Sequence, residues 1–69
     1  MDSLYFKAAL YKSLLELKKA TVEDIAAYLL AKGIEATPQK ISQYLIKMPG
    51  VKYKRLSYKT IYFLEESNA

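Results

Sequence analysis

Apolar and polar positions along the chain change period once, from helical spacing in the first two thirds to alternation in the last third. Leu4, Ala8, Tyr11 and Leu15 recur at helical spacing, with Phe6, Leu10, Leu14 and Leu17 in a second stripe beside them, which predicts a helix over 2–19. At about 100° per residue the two stripes cover roughly 200° of the circumference, interrupted by Ser3, Lys7 and Lys18. That arc is wider than one side of a small core needs, and a second copy of the chain is the simplest cover. The expected homodimer seam is Phe6, Leu10 and Leu17; wrapping by the chain's own hairpin and tail is the other way to cover the arc.

A second helix is predicted over 21–32. Thr21 stands three residues before Asp24, a capping-box spacing with Glu23 and Asp24 in the first turn. Val22, Ile25, Ala26 and Leu29 share one face with Tyr28 at its edge, and Gly33 suits the left-handed residue that closes a helix. Thr37 followed by Pro38 opens a third helix over 38–48, with a core face of Ile41, Tyr44, Leu45 and Met48, and Pro49 and Gly50 stop it. Residues 51–64 then read as a hairpin. Val51, Tyr53 and Arg55 fall on one face of its first strand and Lys52, Lys54 and Leu56 on the other; the return strand runs from about Lys59 to Leu64. Val51, Ile61 and Phe63 are taken as the core side, Tyr53 and Tyr62 as packing residues, and 65–69 as a fraying tail.

With 69 residues the chain is expected to be one domain, near the lower size limit for folding without staples. Hydrophobic residues at 52% and charged residues at 26% fit a globular protein and not a disordered one. There is no Cys and no His, which excludes disulfides, thiolate zinc sites and nucleophile–imidazole pairs. No apolar run approaches the roughly 18 residues of a membrane span, and the N-terminus lacks a signal-peptide layout. The expected location is cytoplasmic. The net charge of +4 is unevenly placed: residues 1–36 balance five Lys against five acids, whereas residues 37–69 carry six basic residues and two acids. A focused positive field of this kind favours encounter with polyanions, although a solvated lysine face that keeps a small protein soluble has the same composition.

Helix, helix, turn, helix and basic hairpin, in that order, resemble a winged helix-turn-helix DNA-binding domain over nearly the whole chain. The run Thr21 to Leu29 looks like the first helix of the helix-turn-helix pair, Thr37 to Leu45 like its recognition helix, and Pro49 to Val51 like the lead into the wing. A departure is the connection from Gly33 to Thr37, longer than the tightest turns of such pairs. Small domains of this kind abound in archaea and their viruses, and a composition rich in Lys, Tyr and Ile without Cys, His or Trp is in keeping. The resemblance implies an α+β, mostly helical fold: three helices followed by a two-stranded antiparallel β-hairpin wing. For a viral chain the cytoplasm would be the host's; otherwise the nucleoid is the expected place.

Gln39, Lys40, Gln43 and Lys47 lie within an arc of about 100° opposite Ile41 and Leu45, the face that would enter a major groove. Gln can bond adenine at two points, and Lys can reach guanine acceptors or a phosphate. Thr37 and Gln39 at the helix N-terminus, and Ser42 at its flank, are further phosphate candidates. In the wing Lys52, Lys54, Arg55 and Lys59 are candidate backbone contacts, and Tyr58 at the tip is placed to stack or enter a minor groove. The structural counterparts are plain: exposed helix faces are polar, and lysines guard strand edges against aggregation. The seven acids are scattered and there is no Gly-rich phosphate loop, so no enzyme, cofactor or small-molecule ligand is expected. The expected function is binding of double-stranded DNA, as a small transcriptional regulator. The rivals are a protein-interaction module and a binder of structured RNA or the ribosome.

Overall fold

The end of the first helix and both ends of the second and third coincide with local backbone signals. In the computed structural model, which describes residues 3–65, α1 (Ser3–Leu17) ends at Lys18, whose φ of 72° is left-handed. The Lys18 N–H still donates to the Leu14 carbonyl at 2.9 Å, and the reversal ends the helix two residues before the predicted boundary. The predicted start at Asp2 and the tail 66–69 lie outside the described residues. In α2 (Val22–Ala31) the Thr21 hydroxyl accepts from the Asp24 N–H at 3.1 Å and the Asp24 carboxylate accepts from the Thr21 N–H at 3.2 Å, a complete capping box. Gly33, at φ 83°, closes it: the Gly33 N–H donates to Leu30 C=O and the Ile34 N–H to Leu29 C=O, with Ile34 buried behind them.

Thr37 caps α3 (Pro38–Leu45) by accepting from the Lys40 N–H at 3.1 Å, with Pro38 in the first turn. This helix stops three residues before the predicted boundary. Its end tightens into bonds from Lys47 N–H to Tyr44 C=O and from Met48 N–H to Leu45 C=O, which carry Met48 into the core.

The sheet departs from the expected two-stranded hairpin. A strand of two residues, β1 (Lys19–Ala20), pairs antiparallel with β3 (Thr60–Leu64), which also pairs with β2 (Val51–Arg55); the order is β1-β3-β2. The molecule is therefore α+β, with three helices and a three-stranded antiparallel sheet. The run Ile61, Tyr62, Phe63 and Leu64 is apolar on both faces, as suits the central strand of a sheet. β2 and β3 join through a two-residue turn, Ser57 and Tyr58, closed by the Leu56 N–H on the Lys59 carbonyl at 2.7 Å.

The core gathers Phe6, Leu10 and Leu14 from α1, Ile25 and Leu29 from α2, Ile41 and Leu45 from α3, with Ala20, Ile34, Met48 and Tyr62. Two expectations are corrected here. Phe6 and Leu10 face inward and are buried; the Phe6 ring meets Tyr44 edge-on at 4.8 Å, so neither side chain can line a seam between copies. The apolar and aromatic side chains that α1 leaves exposed are Leu4, Tyr5, Ala8 and Leu15, with Leu17 at the margin. The core side of β3 is Tyr62 with Leu64, not Ile61 and Phe63. Cross-strand partners share a face, so Val51 opposite Leu64 and Tyr53 opposite Tyr62 set the parity, and the Tyr62 hydroxyl is accommodated because it meets Ser42 Oγ at 3.3 Å. Among the described residues no helix is long and apolar enough to cross a membrane.

Candidate nucleic-acid interface

α3 is rooted by Ile41 and Leu45, both fully buried, and the helical period then turns Gln39, Gln43 and Ile46 outward. Lys47 follows on the tightened turn, exposed beside Gln43. Ile46 is 64% exposed and absent from the predicted set. Counting about 100° per residue places it between Ser42 and Gln39 on the outward side, so the signal was present in the period. Ser3, Lys7, Gln43, Tyr44 and Lys47 line a shallow groove between the start of α1 and α3, which adds Lys7 to this surface.

The other α3 candidates are engaged within the fold. The Lys40 ammonium stands 5.0 Å from the centre of the Phe6 ring, on the flank facing α1. Ser42 sits on the opposite flank, half-buried, with its hydroxyl on Tyr62. Thr37 is the cap. At the helix N-terminus Pro38 lacks an N–H, the Lys40 N–H donates to the Thr37 hydroxyl and the Ile41 N–H to the Thr37 carbonyl.

The pleat divides the basic hairpin. Arg55, opposite Thr60, shares the helix-side face with Tyr53; Lys52, opposite Phe63, and Lys54, opposite Ile61, project from the reverse face, where Lys19 also pairs with Phe63. The four wing cations therefore do not act from one surface. Lys52 is held 3.7 Å from Glu65 in an exposed ion pair. At the tip Tyr58 is 82% exposed, with the Lys59 ammonium 5.6 Å from its ring centre. Tyr53, read from sequence as packing, is 58% exposed and stands 6.1 Å from the Tyr62 ring. It lies beside Tyr62 on the helix-side face of β2, a position fixed by register and hence not readable from its residue type.

The structure thus brings together Gln39, Gln43, Lys47 and Lys7, sets Tyr53 and Arg55 on the α3 side of the sheet, and sends Lys52 and Lys54 to the other side. No protein-family model, curated protein or solved structure matches the chain.

Proposed function

We propose that this protein binds double-stranded DNA as a small transcriptional regulator, with the outward face of α3 in the major groove and the hairpin tip on the backbone. The observation that carries the reading is the set Gln39, Gln43 and Lys47, exposed along the outward side of α3 and the turn after it, on a helix anchored by two fully buried residues. A side chain that reads a base edge needs such a rigid root, because discrimination depends on bidentate geometry. The element order, with β1 closing onto β3 and the β2–β3 hairpin following α3, supports a winged helix-turn-helix arrangement. Arg55 and Lys7 are the candidate backbone contacts on that side, with Lys59 beside Tyr58 at the hairpin tip, each adding close to one unit to the salt dependence. Pairing of two copies through α1 would match two half-sites, with the seam at Leu4, Ala8 and Leu15. Such work belongs in the cytoplasm, at the nucleoid or, for a viral chain, in the host.

Replacing Gln39, Gln43 and Lys47 together by Ala should abolish sequence preference in a shift assay, with thermal unfolding unchanged because all three are exposed. Unaltered preference would remove α3 from base reading. Absence of duplex binding at low salt, together with a monomeric mass, would favour a protein-interaction module. Stronger competition by structured RNA than by duplex DNA would favour the RNA reading.

A further inference from the structure

The reverse face of the sheet has a composition that the α3 interface does not use. Across its three strands Lys19, Phe63 and Lys52 form one row, with Ile61 and Lys54 in the next. Lys18 and Lys19 continue it along the groove beside Phe63 and the end of α1. Neighbouring strands lie about 4.8 Å apart and alternate residues about 6.6 Å apart along a strand, so the lysine roots form a grid with sides of about 7 to 10 Å. Phe63 and Ile61 are only partly exposed between the flanking lysines, whose stems can lie over them while the ammonium groups stay in water. Among the described residues, Glu65 is the carboxylate this face sets against Lys18, Lys19, Lys52 and Lys54, and it pairs with Lys52 at 3.7 Å.

We propose that this reverse face is a second DNA-binding face, separate from α3, that takes the sugar–phosphate backbone of another duplex segment. Its donors are all lysines, which act as point charges; among the described residues it has no Arg, Asn or Gln to read a base edge, so binding is independent of sequence. A single strand would need an aromatic face to stack on, and Phe63 is too covered to offer one. A bilayer would need several projecting apolar anchors; among the described residues Ile61 and Phe63 lie low between the lysines, and Leu15 at the groove's edge is a single one. With α3 on one segment and the lysine grid on another, one chain can hold two stretches of DNA together.

The test separates this face from both α3 and dimerisation. A protein silenced at α3 (Q39A/Q43A/K47A with R55Q) should still bind random duplex at low salt. Adding K19Q/K52Q/K54Q should lower the log–log salt slope by roughly three units and weaken binding at least about tenfold. E65Q in the silenced protein should strengthen binding by freeing Lys52. In an A8E background, which charges the proposed α1 seam away from the groove beside Phe63, a first immobilised duplex should retain a second labelled duplex, and K19Q/K52Q/K54Q should remove that retention. All substituted positions are exposed, and matched unfolding curves verify the fold. Loss of duplex binding in the α3-silenced protein, or retention unaffected by the lysine changes, overturns the second face while leaving the α3 reading standing. Tighter binding of the silenced protein to single strands or to anionic phosphatidylserine vesicles than to duplex overturns the assigned occupant.

Discussion

The Tyr28 hydroxyl donates to Glu16 Oε1 at 2.6 Å, joining α2 to α1 on the surface, with the Lys32 ammonium 5.3 Å from the Tyr28 ring centre. The bond holds the Glu16 carboxyl below its ordinary pKa, helped by Lys32 and Lys12, and raises the Tyr28 hydroxyl above its own because ionisation would lose the bond and meet the carboxylate. The signs differ. A depressed carboxyl contributes stability above its unfolded pKa and loses it as pH falls through the folded value; a raised phenol contributes below its unfolded pKa and loses it as pH rises through the folded value. Y28F should therefore lower stability slightly between those limits and reduce the pH dependence on both the acid and the alkaline side. Thermal unfolding across pH measures this; an unchanged profile would show that the contact carries no linkage. At this scale the site was partly legible. The exposure of Gln39, Gln43 and Lys47 follows from helical period alone, whereas the internal engagement of Lys40 and Ser42 depends on Phe6 and Tyr62, which lie far away in the chain.

Element boundaries show the same division between local and distant causes. The starts of α2 and α3 were legible because Thr21, Asp24, Thr37 and Pro38 act within four residues of themselves, and Gly33 closes α2 for the same reason. β1 was not, since two residues cannot show an alternation and only the pairing with β3 defines them. The side of β3 that turns inward was also hidden. With apolar residues on both faces, its parity is decided by the pairing of Val51 with Leu64, and that pairing also sends Lys52 and Lys54 away from α3. The end of α1 is a special case. Gly33 and Gly50 occupy left-handed positions at φ 83°, but the residue at the third such position is Lys18. A side chain there costs about 1–2 kcal/mol. K18G should accordingly raise stability by about 1 kcal/mol in denaturant unfolding, less the extra freedom glycine gains in the unfolded chain. A drop in stability would mean that the Lys18 side chain contributes more than its backbone strain costs.

At the level of the whole molecule the burial of Phe6 and Leu10 narrows how two copies can meet. For the proposed pairing, the exposed part of the α1 stripe, Leu4, Ala8 and Leu15, would make a thinner seam than the sequence suggested, with Ala8 permitting close approach of two helices. L15E should convert a dimeric mass in sedimentation to a monomeric one, with no loss of fold because Leu15 is 59% exposed. A dimer that survives the change would place its seam elsewhere. The order β1-β3-β2 has a further consequence, for the timing of folding. The strand between the other two comes last in the chain, so a growing polypeptide carries two strands without a neighbour until Leu64 has been added. The helices can form early, but Ala20 and Val51 acquire their partners Tyr62 and Leu64 only at that point. A ribosome stalled before Thr60 would therefore present the cell with helices and no sheet, because β3 supplies both pairings of the described sheet.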